Sequence, residues 1–461
     1  VDNTGQYRCS TKSRIEYNLK KINMSNKPTC VFVSPIFSRS GYGGWAYSVA
    51  KSLLRYDKFD LQIIPTRWGS CSKENVDLRN DPDAQELLNR VVNGQLTKQP
   101  DLFIQMSIPN EANPIGKYNI MMTAGIETTV ASPQFIEGLN KMNLGVVMSK
   151  HGKDVFQSTS YTKNFPDGRS EELKCTKPLE VLFWGADTSV YNKTDVSVDS
   201  VEEVFATVPE EFNFLFVGQW TSGNMMSDRK NIGFLIKTFL ETFANTKNAP
   251  GLILKTSGAT LSVMDKYECL AKINEITQMV RTQLGESSVL PNVYLIHGEL
   301  SDAEMNALYN HNKVKVHVSF TRGEGWCMPG LLQTLTGKPT IYPEWSGHLD
   351  FLNPKHAKLF KGELVTIPQE AVNDWFMKDS KWFEVDYKAA GERLKATYSN
   401  YNKMLLYSAE ELRKENAEKF SFEAMNKVLH GILDKYVPQF AVETKIILPK
   451  LKKIDINALK K

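Results

Sequence analysis

The segment Ser38-Arg39-Ser40-Gly41-Tyr42-Gly43-Gly44-Trp45 follows an apolar run and leads into the periodic stripe Ala46, Val49, Ala50, Leu53 and Leu54. A glycine-rich turn opening a helix presents backbone N–H groups and the positive end of the helix dipole, so a phosphate or a sugar hydroxyl can approach Gly43 and Gly44 closely. A tight strand-to-helix turn without a ligand satisfies the same pattern. Further along, Ile108-Pro109-Asn110-Glu111 and Ala124-Gly125-Ile126-Glu127-Thr128-Thr129 each follow a run that reads as a strand. Strand ends of an open α/β sheet face its crevice, which places Glu127 to touch a ligand bound there; the bland alternative is a carboxylate at a helix N-terminus. Asp81-Pro82-Asp83 has the spacing of a metal-binding carboxylate pair but stands directly before a helical stretch, so it reads as a cap. The six cysteines, Cys9, Cys30, Cys71, Cys175, Cys269 and Cys327, show no CxxC pairing and read as free thiols.

The elements that position these residues are legible from the apolar runs. In the first half they are Cys30 to Pro35, Leu61 to Pro65, Asp101 to Met106, Tyr118 to Ala124, Asn143 to Ser149 and Leu179 to Gly185. The second half has Phe212 to Gly218, Gly251 to Gly258, Asn292 to Gly298, Val314 to Phe320 and Lys338 to Pro343. Runs this continuous suit strands of a parallel sheet buried on both faces. Between them lie amphipathic stretches such as Ile232, Leu235, Ile236, Phe239, Leu240 and Phe243. Strand and helix alternate in both halves, which predicts an α/β protein of two doubly wound Rossmann-like domains with a cleft between them. A chain of 461 residues is also longer than one hydrophobic core usually supports. The expected division is a leader over 1–27, a first domain over 28–190, a second over 191–388, helices over 389–437 bridging the lobes, and a tail over 438–461. Asp187 to Pro209 reads as the linker, and the C-terminal helices as Ala389 to Ala417 and Phe422 to Tyr436.

The most specific segment is Arg322-Gly323-Glu324-Gly325-Trp326-Cys327-Met328-Pro329, followed by the helical stretch Gly330 to Thr336 and the stop Gly337-Lys338-Pro339. Here the sequence resembles retaining glycosyltransferases of the GT-B fold, the family with sucrose-synthase-like and bacterial mannosyltransferase-like members. Their pattern is Glu-Gly-Phe-Gly-x-Pro, with a second Glu eight residues after the first. The resemblance implies that Glu324 contacts the transferred sugar and that the turn Gly325, Trp326, Cys327, Met328, Pro329 holds a diphosphate. The second Glu, which binds ribose in the family, is replaced by Leu332, and the adjacent Gln333 would point about 100° away on a helix. The family's phosphate-neutralising Arg and Lys fall on Gln219 and Lys230, with Arg229 beside Lys230 as a substitute for the missing arginine. By the same resemblance His297-Gly298-Glu299-Leu300 sits at the base-binding loop. Trp345-Ser346-Gly347-His348-Leu349-Asp350 resembles a loop lining the donor cleft, where His348 is either a structural or a catalytic histidine. Ser149-Lys150-His151-Gly152 suits a hinge-side contact, and the histidine that some relatives carry near Glu127 is missing. The implied reaction is a retaining transfer from a nucleotide sugar, a UDP-sugar on the family majority, with no obligatory cofactor or divalent metal.

The segments Ala124 to Thr129, Asp228 to Asn231 and Trp345 to Phe351 resemble glycosyltransferases carried by tailed bacteriophages, some of which glycosylate hydroxymethylated DNA bases. Charge distribution bears on that acceptor. Residues 1–27 hold six Lys/Arg against two Asp/Glu and residues 445–461 six Lys against one Asp, so a net charge of +4 leaves the body between them slightly acidic. Basic ends can meet phosphates, though solvated tails give the same composition. Alternative readings are a glycan, lipopolysaccharide or capsule acceptor, a lapsed fold that binds nucleotide sugar without turnover, or an epimerase. With no stretch near the roughly 20 apolar residues of a membrane span and no apolar signal-peptide middle, the expected location is the cytoplasm, a host's if phage-encoded. Met24 is a candidate start, which would make residues 1–23 an upstream extension.

Overall fold

The computed structural model describes residues 27–69, 71–72, 81–92, 94, 96–220, 224–258 and 260–441. The leader cations before Lys27, the tail lysines from Lys445 and Cys9 lie outside the described residues.

The first lobe is built on strands β1 (Thr29–Ser34), β2 (Asp60–Pro65), β3 (Leu102–Met106), β4 (Tyr118–Thr123) and β5 (Leu144–Val147). An exposed hairpin of β6 (Ser160–Asn164) and β7 (Ser170–Lys174) follows, and β8 (Leu179–Val181) completes the sheet. The sheet order is β2-β1-β3-β4-β5-β8, parallel throughout. The second lobe repeats the design with β9 (Asn213–Val217), β10 (Gly251–Lys255), β11 (Val293–Ile296), β12 (Val314–Val318), β13 (Thr340–Pro343) and β14 (Lys358–Phe360), in the parallel order β11-β10-β9-β12-β13-β14. The expected pair of doubly wound sheets is therefore present. Strand order reverses beside β1 and beside β9, and a crevice opens at the carboxyl ends of strands at such a switch point. The glycine turn follows β1, and Lys230 and Glu324 follow β9 and β12, so topology sends the first to the crevice of its own sheet and the other two to the crevice of theirs.

An antiparallel hairpin, β15 (Gly362–Thr366) with β16 (Lys381–Val385), reaches from the second lobe to the first. The Thr129 and Lys381 backbones meet there, Thr129 N–H donating to the Lys381 carbonyl at 2.9 Å and Lys381 N–H to Thr129 Oγ1 at 2.8 Å.

The C-terminal helices connect the lobes. Helix Tyr387–Ser399 lies on helix Ile232–Phe243, where a side chain at Gly391 would strike Thr242 Oγ1 at 2.6 Å. Helix Lys403–Lys419 stays on the second lobe, with Asn416 Nδ2 donating to Thr334 Oγ1 at 2.9 Å and to the Phe351 carbonyl at 3.1 Å. Helix Phe422–Tyr436 crosses to the first lobe, pairing Glu423 with Arg55 at 2.6 Å and Lys435 with Glu180 at 2.7 Å. The helix expected over Ala389 to Ala417 is two helices, broken where the Asn402 side chain accepts from Met404 N–H and Leu405 N–H and caps the second. The stretch read as a linker contains helix Asp199–Ala206, whose buried residues are only Val201 and Phe205. Two apolar anchors in eight residues are too few to declare a period.

Candidate functional site

The lobes meet backbone to backbone. A Cβ at Gly323 would lie 2.0 Å from the Glu127 carbonyl oxygen and one at Gly325 would lie 2.4 Å from that of Ala124, so only glycine permits this approach. The contact brings the loop after β4 against the turn after β12. From the first lobe Gly44 also faces the second, with Met328 Cε 2.6 Å from where a Gly44 Cβ would stand. Helix Gly41–Tyr56 is capped by Ser40, whose side chain accepts from Gly43 N–H at 3.0 Å.

Glu324 is at the centre and nearly buried, 6% exposed. Its Oε1 accepts from Lys230 Nζ at 2.5 Å and from Thr321 Oγ1 at 2.8 Å, and its Oε2 accepts from Arg229 Nη1 at 3.3 Å. Arg229 also donates to the Gly323 carbonyl at 2.5 Å and lies 3.7 Å from Glu127 Oε1 across the lobe junction. Glu127 precedes no helix, the next beginning at Pro133, so its place is at the junction rather than at a helix N-terminus. Burial alone would raise the Glu324 pKa, but the Lys230 and Arg229 charges outweigh it and hold the carboxyl down to about 2. The Arg229 pKa is raised: burial opposes its charge and is outweighed by the Glu127 and Glu324 carboxylates. Two cations and two carboxylates thus converge where glycines let the two backbones touch, an arrangement suited to meeting negative charge.

The other sequence-identified residues surround this centre. Cys327, at the family's second glycine position, takes φ +80°, the left-handed region that disfavours a side chain. Burial and the nearby Glu324 charge push its thiol up to about 12. Trp326 is buried in the apolar cluster with Leu331, Leu332 and Leu335. Pro329 stands in the first turn of the helix Met328–Thr334. Gln333 turns away, accepting from Tyr342 O–H at 2.8 Å. Gln219 donates to the Gly258 carbonyl at 2.9 Å, so the arginine position is spent on a neighbouring loop and Arg229 is the guanidinium at Glu324. In the segment His297 to Leu300, the Gly298 carbonyl accepts from Lys255 Nζ at 2.6 Å, Glu299 Oε1 from Ser72 Oγ at 2.7 Å, and the Leu300 carbonyl from the Arg39 guanidinium. His348 is wholly buried; Nε2 donates to the Pro343 carbonyl at 2.7 Å and Nδ1 faces Ser346 Oγ at 3.4 Å. Burial keeps it neutral, with a pKa near 4. Asp81 is a helix cap, its side chain accepting from Asp83 N–H.

Two residues matter here that the sequence placed only within larger segments, Ser346 in the Trp345 to Asp350 loop and His151 in the Ser149 to Gly152 stretch. Ser346 takes φ 82° and ψ −167°, a conformation close to glycine-only, and its hydroxyl accepts from Glu324 N–H at 3.0 Å. His151 donates to the Ile126 carbonyl, packs edge-on to Trp345 at 4.7 Å, and leaves Nε2 without a hydrogen-bond partner among the described residues. Burial, then His348, lowers its pKa to about 4. The non-glycine outlier and the orphaned nitrogen are visible only in three dimensions.

Among the described residues no group of three or more His, Cys, Asp or Glu side chains is placed to hold a metal, and no helix is long and apolar enough to cross a membrane. No protein-family model matches the chain. No curated protein matches it. Solved structures do. The Anabaena protein HepE in complex with UDP and glucose is 12% identical with a TM-score of 0.55, covering 88% of this chain and 100% of that one. Sucrose-phosphate synthase from Thermosynechococcus elongatus is 11% identical with a TM-score of 0.56, over 88% and 98%. E. coli trehalose-6-phosphate synthase bound with UDP-2-fluoro glucose is 10% identical with a TM-score of 0.55, over 89% and 100%. At such identities the shared property is the fold, and the fold is GT-B: two parallel-sheet, Rossmann-like lobes with helices that bind them together.

Proposed function

We propose that this chain is a glycosyltransferase using a nucleoside-diphosphate sugar, with UDP as the nucleotide. The observation that carries the reading is Glu324, held between Lys230 and Arg229 at the lobe junction, in the same turn whose Met328 meets the glycine-rich turn of the first lobe. In the reaction the bond from the anomeric carbon to the β-phosphate oxygen breaks and a bond to an acceptor hydroxyl oxygen forms. The diphosphate departs with the electron pair and takes up the hydroxyl proton. Lys230, Arg229 and the amides of the turn from Gly325 to Gly330 meet the charge that develops on the leaving group, the kind of preorganised stabilisation worth about 3 kcal/mol per donor. Glu324 lines the sugar face, and Glu127 the acceptor side. Retention of the anomeric configuration is part of the proposal on the strength of the resemblance of the Glu324 segment to retaining enzymes. The UDP and UDP-2-fluoro glucose bound in HepE and in the trehalose-6-phosphate synthase complex support the donor class.

For the acceptor the proposal is a hydroxymethylated DNA base, supported by the six lysines of residues 445–461. Such a base must be flipped or caught unpaired, and basic ends add salt-dependent phosphate contacts. The test incubates the chain with a panel of nucleotide sugars and two duplexes, one with hydroxymethylcytosine and one with cytosine, then weighs the nucleosides after digestion. A gain of one sugar on the modified base alone is expected. Donor consumption that instead labels a glycan would move the acceptor to a polysaccharide, and failure to consume any donor would end the transferase reading.

A further inference from the structure

Arg322 is among the largest fully buried side chains, 1% exposed, although it carries a charge. Its Nε donates to Glu384 Oε2 at 2.6 Å and its Nη2 to Glu384 Oε1 at 3.0 Å, a two-point contact between guanidinium and carboxylate. The remaining nitrogen, Nη1, donates to three backbone carbonyls of one loop: Asp228 at 2.8 Å, Met226 at 2.9 Å and Met225 at 3.2 Å. That loop presents Arg229 and Lys230. The backbone closes the same circuit, since Arg322 N–H donates to the Arg229 carbonyl at 2.8 Å and Phe383 N–H to the Arg322 carbonyl at 2.9 Å. Glu384 is tied in turn to Tyr387 O–H, which accepts from Asn231 Nδ2 at 3.0 Å. Asn231 has φ +56°, so the loop ends in a conformation that needs outside support.

We propose that Arg322 is a positioning residue: anchored by Glu384 on the β15–β16 hairpin, its guanidinium fixes the carbonyls of Met225, Met226 and Asp228 and so aims Arg229 and Lys230 at Glu324. Five donors in a rigid plane can hold a carboxylate and a row of carbonyls together, whereas a lysine offers one nitrogen and cannot span both. Burying the charge is costly unless it is paired and hydrogen-bonded, and here Glu384 pairs it on one side while the loop carbonyls accept on the other. The proposal rests on the reading of Arg229 and Lys230 as the cations that meet a leaving diphosphate, so its test needs a readout that does not depend on turnover.

The experiment compares the wild-type chain with Arg322→Lys and with Trp382→Phe, whose ring covers the same guanidinium at 4.9 Å without bonding to the loop. Amide hydrogen exchange is followed at residues 224–232, and kcat and KM are measured with the donor that the wild type consumes. For Arg322→Lys, exchange in 224–232 should quicken about 10-fold or more while strands β9 and β10 keep their protection, because only the loop's local opening is made easier. Its kcat should fall at least about 10-fold per folded molecule with a smaller change in KM. Trp382→Phe should lower the melting temperature without selective exchange in that loop. Glu384→Gln, which leaves the guanidinium a single acceptor oxygen on that side chain, is the milder variant and should move both readouts in the same direction. Wild-type exchange and wild-type kcat in Arg322→Lys and Glu384→Gln would overturn the proposal. A wild-type chain that consumes no nucleotide sugar would refute the transferase reading, while the exchange comparison would still decide for or against Arg322.

Discussion

Lys230 Nζ lies 2.5 Å from Glu324 Oε1, so the cation suited to a phosphate is already bound to the carboxylate suited to a sugar. The two roles are therefore coupled: anything that draws Lys230 toward an incoming diphosphate loosens its hold on Glu324.

This coupling separates turnover from affinity in Glu324→Gln. On the proposed role of Glu324 at the sugar, its loss should lower kcat at least about 100-fold, the scale of one transition-state contact. UDP affinity should not weaken, because Lys230 and Arg229 lose a competing carboxylate. Steady-state kinetics with calorimetric titration of UDP checks both halves; near-normal turnover in the purified variant would remove Glu324 from the chemistry.

Cys327 gives an inverted order of truncations. With φ +80° its backbone suits glycine, and the family pattern has glycine there. Cys327→Ala loses the buried thiol and keeps the strain, whereas Cys327→Gly loses the thiol and relieves the strain. The glycine variant should be the more stable of the two by up to about 1 kcal/mol, the reverse of the usual order inside a structured element. Urea unfolding of the pair decides it, and an alanine variant as stable as the glycine variant would show that the strain is absorbed elsewhere.

The strands were readable because burial on both faces leaves an unbroken apolar run, as in Leu102–Met106, where every residue is buried. The hairpin Ser160–Asn164 with Ser170–Lys174 was not, because nearly every position in it is exposed and no period reports on it. The centre of the site divides the same way. Glu324 and Lys230 stand in segments whose spacing is local and so survives in the sequence. His151 comes near Trp345 only through the packing of the two lobes, and the work of Arg322 depends on Glu384, 62 positions away. Ser346 was hidden for a different reason, since its backbone angles are ones for which a sequence would be expected to show glycine.

Two histidines at the junction predict the acid side of the stability profile. Burial lowers His348 and His151 to about 4, against an unfolded value near 6.5. Between those values the unfolded chain binds more protons than the folded one, so stability falls as pH drops from about 6.5 to about 4. For the fully buried His348 the loss is on the order of 3 kcal/mol. Glu324, held at about 2, acts further down, its contribution being complete above about 4.3 and lost as pH falls through about 2. His348→Gln should flatten the slope between pH 4 and 6.5, leaving the share that belongs to His151, His317 and His311, which burial also lowers. Urea titrations at four or five pH values measure this directly; an unchanged slope would mean that His348 titrates normally.

The last prediction is a double-mutant cycle on Lys230 and Glu324, which tests their pairing without any assumption about substrate. Lys230→Gln leaves the Glu324 carboxylate in a nearly buried place with Arg229 as its remaining cation, and Glu324→Gln leaves two cations crowded against a neutral amide. Each single change therefore breaks the Lys230 pair and leaves a charge with less compensation than before, which is the costly event in a buried ion pair. The double change removes both charges and strands neither, while Gln in both places keeps chain length and hydrogen-bonding capacity. It should cost less than the sum of the singles, with a coupling energy of about 1 to 3 kcal/mol. Arg229 cannot produce the same result from its own side, because it also serves the Gly323 carbonyl and faces Glu127. Arg229→Gln with Glu324→Gln should accordingly couple more weakly than the Lys230 pair. Chemical unfolding of the five variants gives the cycle. Additive losses for Lys230 and Glu324, or stronger coupling for Arg229, would mean that the 2.5 Å contact does not dominate the electrostatics of the junction.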